Sequence, residues 1–383
     1  MADGAIELQK VRDYLSSMVE KRGSDLHIKT GSVFRARIQG NIEPMGSEIF
    51  KPQESEAFAK ELLGERYDEF VENKEMDMVY PFDENTRFRV NMFYQMNGIS
   101  AVFRVIPVEI PKLANLNLPE VMASFAKKER GLVLVTGVTG SGKSTTLAAL
   151  VREINETTKK HIITIEDPIE FVHKDENCIV NQRSVGQDTL SFGAALKSAL
   201  REDPDIILVG EMRDMETINL ALHAADTGHL VLSTLHTIDA KETINRIIST
   251  FPTNEQNRVR LSLAGVIQGI ISQRLVKTID GGRRAAMEIL VRTPTIEKLI
   301  MENEDFGIKD AMEAGKPIYK SQSFDQGLLD LYNEGVISKD EAKKNATSAS
   351  DLELKMSGMS ASGERGENST PKVDMDDVFD LKL

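Results

Sequence analysis

A single cysteine, Cys178, stands in 383 residues, so the chain can close no disulfide on itself and build no multi-cysteine zinc site. That scarcity fits a reducing compartment, and a cytoplasmic location is expected. Basic residues are also outnumbered: 47 Lys and Arg face 60 Asp and Glu, a formal net charge of -13. A broad nucleic-acid footprint needs a concentrated cationic excess to neutralise phosphates, so no nucleic-acid partner is expected. Long apolar runs are missing as well. The stretch Leu261 to Leu275 is broken by Ser, Gly and Gln and is too short to cross a bilayer. The opening MADGAIELQK lacks the basic start and apolar centre of a signal peptide. No transmembrane segment is expected, and any membrane role is peripheral.

What is present suffices for packed domains: 40% of residues are hydrophobic and 28% charged, close to globular averages. Leu8, Val11, Leu15, Met18 and Val19 fall at helical spacing, and Gly23 ends that helix. Val33 to Ile38 reads as a strand, with turn chemistry at Gly40-Asn41 before another extended piece. A helix around Pro52 to Glu72 leads to strands at Met76 to Phe82, Arg87 to Tyr94 and Ile99 to Ile106, the last two joined at Asn97-Gly98. Pro107, Pro111 and Pro119 then punctuate a linker.

Beyond the linker, short unbroken apolar runs alternate with helices: Leu132 to Val135, Ile162 to Ile165, Ile206 to Val209 and Leu230 to Leu232. Such runs fit strands buried on both faces of a parallel sheet covered by helices. From Ala346 the composition turns polar and acidic with few apolar residues, too little burial to offset the entropy of ordering. These shifts predict a small α+β domain at 1–112, a linker at 113–120, an α/β domain at 121–345 and a flexible acidic tail at 346–383.

One segment carries explicit chemistry. Gly137-Val-Thr-Gly-Ser-Gly-Lys-Ser144 matches a phosphate-binding loop, and it follows an apolar strand and precedes a helix-forming run from Thr145 to Ile154. Gly137, Thr139, Gly140, Ser141 and Gly142 can wrap phosphates with backbone N–H groups, as can Thr145 at the helix start. Lys143 supplies a cation near the transferred phosphoryl, and Ser144 is the expected Mg²⁺ ligand of an ATP site. A further acid is needed to orient water or metal, and Asp205-Ile-Ile-Leu-Val-Gly-Glu211 supplies Glu211 at the end of a buried strand. That acid follows a glycine after the apolar run, and the alternative use of Glu211 is simple pairing with Arg213.

Two more runs end in reactive groups: Ile162 to Ile165 leads to Glu166-Asp167, and Leu230 to Leu232 towards His236. Ligands of open parallel sheets bind beyond the carboxyl ends of the strands, so these endings point at one crevice. Glu166 or Asp167 can hold Mg²⁺ through water, while His229 and His236 can contact phosphate; hydrogen-bonded strand ends are the bland alternative for each. In the smaller domain, Arg87, Arg89 and Asn91 share one face of a strand.

Through these residues the chain resembles the secretion and type IV pilus ATPases, and among them the twitching-motility retraction branch. The likeness runs to about Gly358. It rests on the loop, the acidic box Ile165-Glu-Asp-Pro-Ile-Glu170, the segment Arg201-Glu-Asp-Pro-Asp-Ile-Ile-Leu-Val-Gly-Glu-Met-Arg-Asp214 and the histidine box Thr227-Gly-His-Leu-Val-Leu-Ser-Thr-Leu-His-Thr237. The resemblance implies a PAS-like amino-terminal domain, a RecA-like ATPase domain, a homohexameric ring and ATP hydrolysis between adjoining subunits. It further implies that arginines of the smaller domain, here Arg89 and Arg104 with Arg87 as a third choice, reach the phosphates.

The same resemblance implies a motor for pilus retraction, peripherally associated with the inner membrane, working on a platform protein and sometimes alongside a paralogous motor ATPase. Retraction motors carry Ala-Ile-Arg-Asn-Leu-Ile-Arg-Glu after the core, where this chain has Thr295-Ile-Glu-Lys-Leu-Ile-Met-Glu302. The apolar spacing survives, but Glu297 and Met301 replace both arginines. Rival readings are an accessory retraction motor, a pilus-extension or type II secretion ATPase, a kinase, a nucleic-acid translocase, and a non-hydrolysing ring subunit. The single cysteine removes the four-cysteine zinc element typical of the extension and type II relatives.

Overall fold

The computed structural model describes residues 2–83, 86–106 and 109–357. Pro107 of the expected linker and residues 358–383 of the expected tail lie outside the described residues. The backbone divides into two compact units, one made of Met1–Val135, Lys143–Leu235 and Ile247–Gln268, the other of Thr136–Gly142, His236–Arg246 and Gly269–Leu383.

The first unit opens with helix α1 (Ala2–Glu20), whose periodic Val11, Leu15 and Met18 are fully buried. Strands β1 (Gly23–Lys29), β2 (Arg35–Ile38) and β3 (Asn41–Pro44), helices α2 (Pro52–Leu63) and α3 (Tyr67–Asn73), and strands β4 (Glu75–Pro81), β5 (Arg87–Gln95) and β6 (Gly98–Ile106) follow. The six strands form one antiparallel sheet in the order β3-β2-β1-β6-β5-β4. Its buried face closes on Phe50, Phe58, Phe88 and Phe103 together with the helices. The hairpin between β5 and β6 pairs Gln95 with Gly98, so the turn is Met96-Asn97, one residue earlier than the sequence suggests. Strand β1 has no counterpart among the expected strands, because Asp25 and His27 interrupt its apolar pattern.

The chain continues through α4 (Met122–Ala126), β7 (Gly131–Thr136), α5 (Lys143–Thr157), β8 (His161–Glu166), β9 (Ile179–Ser184), α6 (Phe192–Ala199), β10 (Ile206–Val209), α7 (Met215–Asp226) and β11 (Leu230–Leu235). Every residue of β7, β10 and β11 is buried, as expected of apolar runs covered on both faces. After α8 (Ala240–Ser249) and α9 (Thr253–Val266) come β12 (Ile267–Lys277) and β13 (Arg283–Val291). The second sheet runs β13-β12-β7-β11-β10-β8-β9. It is mixed: β8, β9, β10 and β11 pair in parallel, whereas β12 and β13 form an antiparallel ribbon. The ribbon lies outside the four apolar runs read as parallel strands, and Lys277 and Arg283 are joined by a short turn containing Asp-Gly-Gly, far too short for a helical crossover.

Helices α10 (Pro294–Met301), α11 (Ile308–Tyr319), α12 (Phe324–Asn333), α13 (Lys339–Asn345) and α14 (Ala349–Met356) complete the described chain. Helix α14 corrects the expectation of a flexible tail from Ala346. Ser348 caps it by accepting the Asp351 N–H, and Leu352 is fully buried in a cluster with Leu328, Ile337 and Ala342. One buried leucine in a capped helix outweighs a polar composition that looked unable to fold.

Candidate functional site

The phosphate-type loop is built by glycines in positive φ: Gly137 at 144°, Gly140 at 79° and Gly142 at 92°. At Gly137 a Cβ would lie 2.5 Å from both Gln273 O and Ser141 Oγ, so any side chain would collide with backbone. Gln273 on β12 also donates from Nε2 to Ser141 O at 2.7 Å, and Thr136 Oγ1 donates to Ser272 Oγ at 2.8 Å. The adjacent strand thus locks the loop, and Gln273 is a residue that no sequence motif singled out. Ser141 Oγ is buried and has no hydrogen-bond partner among the described residues. A buried hydroxyl left unpaired is costly unless a ligand completes it. Val138, Thr139 and Gly140 are exposed at the loop crest.

Lys143, Ser144 and Thr145 form the first turn of α5, where unpaired backbone N–H groups and the helix dipole favour an anion. Lys143 is 8% exposed. Burial pulls its ammonium pKa down, and the carboxylates of Glu211 and Glu170 offset part of that shift. The lysine therefore shares its surroundings with two acids from separate loops.

Glu211 follows β10 after Gly210. The glycine that separates acid from strand has a packing reason: a Cβ there would meet Ile165 O at 3.2 Å and Glu166 Cα at 3.3 Å. Gly210 N–H donates to Ile165 O, Thr234 Oγ1 donates to Gly210 O at 2.6 Å, and Met212 N–H donates to Thr234 O. Both neighbouring strands hold the segment that carries Glu211. Its side chain also pairs with Arg213, Oε2 to Nη2 at 2.7 Å.

Glu166 closes β8. Burial raises its carboxyl pKa, against donations from Thr164 Oγ1 at 2.6 Å, the Glu170 N–H at 3.3 Å and Gln182 Nε2 at 3.3 Å. Gln182 does more, because its amide also donates to Phe171 O at 2.8 Å and accepts the His173 N–H at 2.7 Å. It laces the whole loop after Glu166 to β9, and the sequence reading passed it over since β9 itself was not anticipated. Asp167 is exposed and lies close enough to Arg213 to stabilise that cation.

The two histidines separate. His236 follows the carboxyl end of β11 and is exposed. His229 precedes the amino end of the same strand. Its Nδ1 lies 3.0 Å from Ala224 O, and Gly131 N–H, at the start of β7, donates to His229 O. Six strand residues rise about 20 Å, so His229 lies at the amino ends of the parallel strands, whereas Glu166 and Glu211 lie at their carboxyl ends. There its bonds anchor the turn between α7 and β11, away from Glu166 and Glu211.

On the smaller sheet Arg89 and Arg104 are directly paired in register across β5 and β6. Arg87 and Asn91 lie on the same face of β5, as alternation requires. Arg104 Nε donates to Asp25 Oδ1 at 2.6 Å.

Residues 2–281 match the family described as Type II/IV secretion system protein. The chain belongs to that family. It is 44% identical to the type IV pilus retractation ATPase PilT of Pseudomonas aeruginosa, over 88% of this chain and 98% of that one. It is also 41% identical to the type IV pilus ATPase PilU of the same organism, over 89% of each chain. Among solved structures, the pilus retraction motor PilT with bound ADP superposes with a TM-score of 0.84 at 42% identity, covering 90% of this chain and 98% of that one. The Legionella pneumophila ATPase DotB gives 0.80 at 31% identity, covering 88% and 95%.

Within this family setting α10 is well formed despite its departures. Thr293 caps it, Ile296 and Ile300 are buried, and Glu297 pairs locally with Arg292 at 2.8 Å. Met301 is 43% exposed.

Proposed function

We propose that this chain is an ATP-hydrolysing motor that powers type IV pilus retraction. The observation that carries the reading is the likeness to the PilT chain along nearly its full length. The unpaired Ser141 hydroxyl in a glycine loop supplies the matching chemistry, because it would donate a hydrogen bond to a polyphosphate oxygen. In this reading residues 1–112 are a PAS-like domain, 113–120 a linker and 121–345 a RecA-like ATPase domain. Six copies assemble in a ring at the cytoplasmic face of the inner membrane, against a platform protein.

The proposed roles follow from the chemistry of each group. Gly137, Thr139, Gly140, Ser141, Gly142 and Thr145 cradle phosphates, and Lys143 neutralises charge that develops on the transferred phosphoryl. Glu211 orients the attacking water and takes its proton; Glu166 orders the neighbouring polar network. Arg89 and Arg104 approach the phosphates from the smaller sheet, and His236 senses their presence. A cation held here would offset phosphate charge, and Mg²⁺ is the one expected. Ser144 would hold it, with Asp167 acting through water. The donor set fits: a hydroxyl and a carboxylate are hard oxygen ligands, and Mg²⁺ takes its other ligands from phosphate and water.

The test is paired: ATP turnover of the purified chain, and pilus retraction in cells carrying Lys143→Ala. Loss of both supports the motor. Normal retraction by the Lys143→Ala cells, or no turnover by the wild-type chain, would sink it. A second reading, an accessory retraction motor, is favoured by Glu297 and Met301 in α10. It predicts that cells lacking this chain still retract through a paralogue, with lower force.

A further inference from the structure

Strand register aligns four charged residues across one face of the smaller sheet: Arg37 opposite Asp25, Asp25 opposite Arg104, and Arg104 opposite Arg89. Directly opposed residues keep their Cβ atoms within about 5.5 Å of each other. Asp25 is the member out of place, a carboxylate only 3% exposed. A charge so covered persists only if it is fully bonded. Oδ1 accepts from Arg104 Nε at 2.6 Å, Oδ2 accepts from the Ser24 hydroxyl at 2.7 Å, and Arg37 Nε lies 3.6 Å from Oδ2. Burial on its own would push this acid up; the Ser24 and Arg104 donations prevail and hold it below the ordinary aspartate value.

The partner is the reverse case. The Arg104 side chain is 66% exposed, so packing does little to fix its long, flexible stem. An unanchored arginine of that kind loses much rotamer entropy on being held in one pose. Opposite it stands Arg89, a like charge that would favour swinging away. The bond to Asp25 engages Nε, the inner nitrogen of the fork, and leaves Nη1 and Nη2 as the outer pair that matches phosphate oxygens bidentately.

We propose that Asp25 is a positioning residue for ATP hydrolysis: its buried carboxylate clamps Arg104 by Nε and so presents the Nη pair, beside Arg89, to the nucleotide phosphates. The inference rests on the reading that Arg104 approaches those phosphates. Asp25 touches neither nucleotide nor water in this role, and its effect passes entirely through Arg104.

A double-mutant cycle in the full chain tests it, with kcat/KM for ATP measured for Asp25→Asn, Arg104→Ala and the double variant, and thermal melts run alongside. Arg104→Ala is expected to lower kcat/KM about 30-fold and Asp25→Asn about 10-fold, with the double variant within about twofold of Arg104→Ala alone. Unchanged activity of Arg104→Ala would remove Arg104 from the site and the inference with it. If Arg104→Ala is impaired while Asp25→Asn is not, or if Asp25→Asn costs its full factor again in the Arg104→Ala background, Arg104 keeps its role and the positioning inference fails. Should Asp25→Asn not fold, Asp25→Glu keeps the charge but displaces it by one methylene, and the same cycle with the same criteria decides.

Discussion

Glu211 Oε2 and Arg213 Nη2 stand 2.7 Å apart, yet the two side chains are 18% and 70% exposed, so one end of the pair is held and the other is in water. A pair of that kind contributes about 0–1 kcal/mol. Arg213→Ala is accordingly expected to leave the melting temperature nearly unchanged and to keep most ATP turnover. Glu211→Gln, which preserves shape and removes the base, is expected to cut kcat by at least about 100-fold while nucleotide still binds. Equal losses in the two variants would mean that the carboxylate serves the pair and not the reaction.

Gln182 bonds Glu166 Oε1, Phe171 O and the His173 N–H with one amide. Gln182→Ala breaks these ties, each worth about 1 kcal/mol net. We expect faster amide exchange across residues 166–173 and a kcat reduced about tenfold, with little change in KM. Wild-type turnover in a loop shown by exchange to be loosened would separate the loop from the chemistry.

A methyl group at Gly137 would sit 2.5 Å from Gln273 O. Gly137→Ala also forces alanine to φ 144°, a region reserved for glycine. Nucleotide affinity, read by fluorescent ADP titration, is expected to fall by more than about 100-fold. Gln273→Ala removes only the side-chain bond to Ser141 O, so a smaller loss of about tenfold is expected. The reverse ranking would contradict backbone collision as the constraint on the loop.

Burial pushes the Glu288 carboxyl up to about 7, partly offset by the Ala240 N–H that it accepts at 2.8 Å. Its folded pKa is above its unfolded value of 4.5, so the folded state holds the proton more tightly. Stability from this group is fully present below the unfolded pKa and is lost as pH rises through the folded one. The loss is on the order of 3 kcal/mol between the two. Glu288→Gln, which cannot ionise, should flatten the fall in denaturant stability between pH 4.5 and 7; an unchanged slope would assign that fall to other groups.

Local patterns determined much of this molecule. The loop from Gly137 to Thr145 carries its own conformational instructions in glycine spacing, and the runs at Ile162, Ile206 and Leu230 announce strands because full burial demands unbroken apolar sequence. The amphipathic repeat of α1 and the paired strands β5 and β6 were legible for the same reason: their periodicity is set by backbone geometry within a few residues. The carboxylates Glu166 and Glu211 could be named because they end such runs.

Tertiary structure decided what periodicity cannot encode. His229 and His236 look alike in sequence, and only the direction of β11 puts them at opposite ends of the parallel strands. Strand β1 hides behind Asp25 and His27, and Asp25 is held across the sheet by Arg104 and Arg37 as well as by its neighbour Ser24. Gln182 and Gln273 have no motif, since their value lies in three-dimensional bonds to Glu166 and Ser141. Helix α14 survives its polar composition through the Ser348 cap and the burial of Leu352, with Met356 packed against the same cluster. A hydrogen bond or a buried contact between residues far apart in the chain leaves no mark on the spacing of either, so these parts of the site belong to the fold.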